Sequence, residues 1–312
     1  MPVAQGRPLG FDGVRRSVRI RAFAKINLYL KVLGRRPDNY HELRTVYQTV
    51  TLADRLEIQL IPRGQAIEVE CDDPQIPNGP ENLAYQAALA WRHARGYRRG
   101  VHISITKKIP AGGGLGGGSS DAAATLLGLE RLTGDRLGLN VRLRMAARLG
   151  SDVPLFLLGG RVLGCGRGEE VYPMSDLPSS RCLIVFPGFG ISSSAAFKEL
   201  GARLTKSQRR SKIAVFGTRP LFPLMEWGPA ENDFEPLVFA KWPELARLKR
   251  RFIQAGAETA LLTGSGSALY AVFDSAEQLA RARQYVPAGW KVFSSRTLPR
   301  AEYWHRLVEE EP

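Results

Sequence analysis

Ile109-Pro-Ala-Gly-Gly-Gly-Leu-Gly-Gly-Gly-Ser-Ser120 is the most informative stretch of the chain, because six of the seven residues from 112 to 118 are glycine. Before it, Val101, Ile103 and Ile105 alternate with His102, Ser104 and Thr106, the period of a half-buried strand. After it, an alanine-rich segment from Asp121 to about Thr133 predicts a helix. Glycine tolerates the positive φ angles that turn consecutive N–H groups into a concave nest, and a helix start behind the nest adds unpaired N–H groups and the positive end of a dipole. Strand, glycine nest and helix in that order predict a phosphate site, with hydroxyls from Ser119 and Ser120. A plain linker would need neither flanking element. The Walker pattern ends in Gly-Lys-Ser/Thr, and no lysine lies between Pro110 and Ser120, which speaks against a P-loop ATPase. The match of Gly112 to Gly117 with Gly-x-Gly-x-x-Gly carries little weight, since so glycine-rich a run satisfies almost any glycine spacing and no acidic residue is clearly placed downstream.

Outward from the loop, the chain divides into two mixed halves. Val18 to Leu33 reads as one or two strands, Arg35 to Asn39 as a turn, and Val46 to Leu60 as further strand broken at Ala53-Asp54. Ala66 to Val69 continues the extended pattern, and Glu81 to Arg95 predicts a helix stopped by Gly96. Beyond the loop, a second helix is expected from about Leu137 to Leu149, followed by a new start signal at Ser151-Asp152-Val153-Pro154. The second half carries an apolar strand from Arg181 to Phe186, a helix from Pro243 to Gly256, and strands at Leu269 to Phe273 and Lys291 to Ser294. This is an α+β chain in which residues 1–17 form an N-terminal extension, 18–175 one domain and 176–312 another. The boundary is placed in the Pro- and Ser-containing stretch from Pro173 to Ser180.

Length and composition agree with this division. At about 150 residues per domain, 312 residues suggest two domains. The 44% hydrophobic and 24% charged residues are those of an ordinary globular chain and exclude a disordered or collagenous one. No stretch offers the roughly 20 apolar residues of a membrane span, and Met1 to Arg16 lack the apolar centre of a secretory signal. Three scattered cysteines, Cys71, Cys165 and Cys182, match neither a disulfide framework nor a zinc site, so a reducing, cytoplasmic setting is expected. The net charge of +14 favours a polyanionic partner, either nucleic acid or a phosphorylated small molecule. Single-strand RNA readers interleave aromatic and basic residues on a sheet, and no segment shows that pattern clearly.

The segment Pro110 to Ala123 resembles the central phosphate-binding motif of the GHMP small-molecule kinases. Ala24-Lys-Ile-Asn-Leu28, Tyr40-His-Glu-Leu43, Leu149-Gly-Ser-Asp-Val-Pro154 and Leu262-Thr-Gly-Ser-Gly-Ser267 sharpen the resemblance, which runs from about residue 18 to about 295. It implies an N-terminal domain like the second domain of ribosomal protein S5, a ferredoxin-like C-terminal domain, and a site in the cleft between them. It also implies ATP with Mg2+ as phosphoryl donor. The first two segments point to the branch whose acceptor is a hydroxyl of a methylerythritol unit carrying a cytidine diphosphate. Relatives acting on homoserine, mevalonate or a sugar would have no use for Asn39 to Glu42. A monomer or weak homodimer without nucleic-acid or membrane partners is expected.

Phosphoryl transfer passes through a loose transition state, so the protein chiefly aligns oxygens and balances spreading charge. On its own, Asp152 reads as a helix-start residue and Lys25 as a lone charge in an apolar strand. The resemblance makes Asp152 the base and Lys25 its electrostatic partner. It assigns Pro110, Ala111, Gly112, Gly113, Gly114, Leu115, Gly116, Gly117, Gly118, Ser119 and Ser120 to the phosphates. Lys107 and Asn82 fall to the adenosine side, with a strand-end lysine and a helix cap as the plain readings. Asn27, Tyr40, His41, Ser193 and Phe197 are assigned to the acceptor, Phe197 as one wall of a cytosine sandwich. Asp121 is left as either a magnesium ligand or a helix-dipole partner. Residues 206–228 have no counterpart in the family pattern.

Overall fold

A computed structural model describes residues 17–61, 64–203 and 230–309. The N-terminal extension up to residue 16 and the basic segment 206–228 therefore lie outside the described residues. The first sheet is built on a long antiparallel hairpin, β1 (Ser17–Arg35) and β2 (His41–Ile61), turned at Asn39 with φ +67°. β2 runs past the expected break at Ala53-Asp54. The Asp54 carboxylate is fully buried there, but it accepts the backbone N–H groups of Lys108 and Ile109 and an ion pair from Lys107, so the strand continues without an unsatisfied charge. The two ends of β2 have different partners. Leu43 to Gln48 pair with β5 (Arg161–Gly166), and Arg55 to Ile61 pair with β4 (Gly100–Thr106). β3 (Ile67–Cys71) joins β4 in parallel, and β6 (Glu170–Pro173) closes the other edge. The sequence reading missed β5 and β6, which are short, β5 carrying two glycines and β6 ending in proline.

α1 (Leu83–Arg95), α2 (Gly117–Thr133), α3 (Leu139–Leu149) and the single turn α4 (Val153–Phe156) cover one face of this sheet. Ala84, Ala87, Ala88 and Trp91 of α1 meet Leu126 and Leu129 of α2 over Ile58, Ile103 and Ile105. Gly96, in the left-handed region, ends α1 as expected. α2 begins at Gly117 rather than Asp121, so the last two glycines and both serines belong to its first turn.

The second sheet has the order β10 (Lys291–Arg296), β7 (Arg181–Phe186), β9 (Leu269–Phe273), β8 (Thr259–Leu262), antiparallel throughout. With α5 (Ser193–Arg203), α6 (Glu235–Lys241) and α7 (Pro243–Gln254) between β7 and β8, and α8 (Ala276–Arg283) before β10, this is the ferredoxin-like βαββαβ arrangement. Leu248 and Phe252 of α7 pack on Leu183, Val185 and Phe273. A separate cluster joins the sheets: Ala24, Ile26 and Val50 of the first meet Ile184, Phe186 and Tyr270 of the second, with Ile109 and Leu115 from the glycine loop between them. The last helix, α9 (Arg300–Leu307), returns to the first sheet, where the Tyr303 hydroxyl donates to the Phe156 carbonyl.

Candidate active site

The glycine loop lies at this junction and is held from both sides. Leu115 accepts the backbone N–H of Lys25 in β1, Gly113 that of Ala268, and Gly112 that of Ile191. Gly112, Gly114 and Gly116 have φ near +70°. A Cβ at Gly114 would sit 2.1 Å from the Thr263 carbonyl oxygen, so only glycine lets the two loops approach this closely. Gly116 ends the loop at the N-terminus of α2, where no side chain caps the helix and no acidic residue occupies the first turn. The helix start and its dipole thus face a cavity of about 1140 Å³ lined by both halves of the chain. That volume exceeds the about 300–1,000 Å³ typical of a site for one small ligand.

Lys25 and Asn27 point to the same face of β1, as strand periodicity requires, and face this cavity. Lys25 is buried, and its ammonium donates to Asn27 Oδ1 at 2.7 Å and lies 3.4 Å from Asp152 Oδ2. Asp152 occupies the N-cap position of α4, yet its side chain makes no capping bond. It turns instead toward Lys25 and accepts a hydrogen bond from Tyr47 at 3.1 Å, with 29% of the side chain left open to the cavity. Asn27 is engaged within the protein: Oδ1 also accepts from Gly264 N–H and Thr263 Oγ1, while Nδ2 donates to Thr45.

The opposite end of the cavity is aromatic and basic. Tyr40 is exposed, with the Arg167 guanidinium 4.6 Å from its ring centroid. His41 stacks on Phe197 with centroids 5.4 Å apart, and Phe197 meets Phe234 edge-on. At 5.4 Å those two rings are already in contact, so one face of Phe197 is covered by His41. Ser193 shares a 2.9 Å hydrogen bond with Ser265.

Of the residues singled out from sequence, Lys25, Asn27, Tyr40, His41, Asp152, Ser193 and Phe197 line the cavity, as do Gly112, Gly114, Gly116, Gly117, Gly118 and Ser119. The others lie behind them. Pro110, Ala111 and Gly113 do not reach the lining, and Leu115 is core. Ser120 is buried and donates to the Phe23 carbonyl. Asn82 caps α1, accepting from Ala84 N–H and donating to the Pro77 carbonyl. Lys107 is clamped beneath the first turn of α2 by Asp54 and, at 2.8 Å, by Asp121. Burial works against its charge, but the carboxylates of Asp121 and Asp54 outweigh burial and hold its pKa above the usual lysine range. Asp121 fares differently: desolvation, reinforced by Asp54, pushes it up to about 7 despite Lys107. Two carboxylates thus share one cation, which makes Asp121 part of a buried ion-pair cluster. No set of three His, Cys, Asp or Glu side chains among the described residues could hold a metal ion. Tyr47, Thr45, Arg167 and Asn232, the last of which holds the Leu262 and Gly264 carbonyls, were not anticipated. Period-2 spacing in β2 could have suggested Thr45 and Tyr47, since Tyr47 stands directly opposite Asn27.

Residues 82–160 match the GHMP kinases N terminal domain and residues 220–292 the GHMP kinases C terminal domain. A 4-diphosphocytidyl-2-C-methyl-D-erythritol kinase from Solibacter usitatus is 43% identical over 276 residues, covering 86% of this chain and 84% of its own. One from Moorella thermoacetica is 39% identical, covering 83% and 91%. The crystal structure of a 4-(cytidine 5'-diphospho)-2C-methyl-D-erythritol kinase, 33% identical, superimposes with a TM-score of 0.69 over 89% of this chain and 99% of that one. No helix among the described residues is long and apolar enough to cross a membrane. At this identity and coverage the chain belongs to the 4-diphosphocytidyl-2-C-methyl-D-erythritol kinase family of the GHMP kinases and is an ATP-dependent small-molecule kinase.

Proposed function

We propose that the protein phosphorylates the 2-hydroxyl of 4-diphosphocytidyl-2-C-methyl-D-erythritol, within the non-mevalonate route to isoprenoid precursors. The relatives' names and the matching architecture support the substrate. The observation that carries the chemistry is the Lys25–Asp152 pair, 3.4 Å apart, in the same cavity as the uncapped start of α2. Asp152 holds the acceptor hydroxyl and takes its proton as the bond to phosphorus forms. Lys25, already oriented by Asn27, balances charge on the transferring group. The N–H groups of Gly117, Gly118 and Ser119 receive the donor phosphates, and Lys107 braces the helix start from below. A bound Mg2+ would supply charge neutralisation at the donor phosphates, with the Ser119 hydroxyl and the Asp152 carboxylate as the cavity-lining groups on hand to help hold it. At the other end, the exposed Tyr40 ring offers a stacking face for cytosine, and His41 a polar edge. In this reading residues 18–175 are the nucleotide-binding domain and 176–312 complete the acceptor side.

The test is incubation with Mg-ATP and the proposed acceptor, followed by phosphorus NMR, with Asp152→Asn and Lys25→Ala as controls. A new phosphomonoester signal lost in both variants is the expected outcome. A folded wild-type protein giving only background hydrolysis would overturn the substrate, and full activity in either variant would overturn that residue's role.

A further inference from the structure

We propose that Tyr47 is the positioning residue for Asp152, and that Gly164 and Gly168 are there to admit its ring. This rests on the reading of Asp152 as the base. The Tyr47 hydroxyl donates to Asp152 Oδ1 while Lys25 Nζ approaches Oδ2, so each carboxylate oxygen has one partner on the protein side and a lone pair left for the cavity. A side chain at the start of a four-residue turn, without a capping bond of its own, would otherwise choose among rotamers. Tyr47 is 2% exposed, and burial together with the Asp152 charge pushes its phenol well above the ordinary range, so it remains a proton donor at any working pH.

The surroundings leave this ring one place to go. Lys25 Nζ lies 5.4 Å from its centroid. On the neighbouring strand, a Cβ at Gly164 would stand 2.5 Å from Tyr47 Cε2, and just beyond that strand one at Gly168 would stand 2.4 Å from its hydroxyl oxygen. Gly164, together with Gly168, whose φ of +104° the β5–β6 turn also requires, thus leaves the clearance for a tyrosine whose hydroxyl reaches Asp152. A tyrosine there only to fill the core would not need its hydroxyl on the carboxylate.

The experiment compares Tyr47→Phe with wild type in steady-state kinetics, with thermal unfolding and ATP dissociation constants measured alongside. The expected result is a kcat lower by about tenfold, with the KM of each substrate and the ATP dissociation constant within about twofold. In the Asp152→Asn background the same substitution adds no further loss, because Tyr47 acts only through that carboxylate. Gly164→Ala, which keeps the hydroxyl but displaces the ring, reproduces the selective fall in kcat. Unchanged kcat in Tyr47→Phe, or a loss that multiplies with that of Asp152→Asn, would overturn the proposal. Wild-type activity in Asp152→Asn alone would instead overturn the assignment of the base, so the two failures are separable.

Discussion

Replacing Asp121 by asparagine tests whether the cluster beneath α2 is held together by one cation serving two acids. The triad is dry: Lys107 is 6% exposed, Asp54 not at all and Asp121 4%. Asp121 Oδ1 has no hydrogen-bond partner, and a protonated Asp121 is within hydrogen-bonding reach of Asp54. An aspartate with an ordinary value of 3.8 that is pushed up to about 7 binds its proton more tightly in the folded state than in the unfolded one. Its contribution to stability is then fully present below pH 3.8 and is lost as pH rises to about 7. At about 1.4 kcal/mol per pH unit, the loss amounts to about 4 kcal/mol at most. The asparagine side chain keeps the shape and one acceptor for Lys107 but carries no charge, so Asp121→Asn escapes that loss. Urea unfolding of both proteins from about pH 5 to about pH 8 should show the variant gaining on wild type by a few kcal/mol as pH rises. A difference that stays flat across that range would refute the shared-cation account and leave Lys107 pairing with both carboxylates at no net cost.

Two further substitutions probe the nucleotide end. Gly114→Ala combines a left-handed backbone, worth about 1–2 kcal/mol against alanine, with a Cβ driven into the Thr263 carbonyl. Chemical unfolding should show at least that loss and kinetics a raised KM for ATP, whereas a variant with wild-type values of both would contradict the close packing of the two loops. Asn82→Ala removes the α1 cap and should cost about 1 kcal/mol of stability without changing the KM for ATP. A KM raised severalfold would instead place Asn82 at the nucleotide.

What sequence alone determined is local in origin. The alternation at 101–106, the glycine run and the alanine-rich segment specify strand, nest and helix because each depends only on neighbouring residues. The bounds of β7 and β9 and the stop at Gly96 were legible for the same reason. That Lys25 and Asn27 share a face follows from the period of a strand. Nothing local brings Lys25 to Asp152, and here the family resemblance supplied the pairing that periodicity could not. Tertiary structure decided which polar groups face the cavity and which face inward. Ser119 and Ser120 are adjacent in sequence, but successive helical residues point about 100° apart, so one lines the site and the other is tied to β1. Asp54 looked like a strand break because its buried partner lies 53 positions away. Tyr47 was invisible because its meaning depends on Asp152, 105 residues on, and on two glycines in and just after a strand too short to announce itself. Side-chain partners of this kind are set by the register of strands and the approach of loops, which only the assembled sheets define.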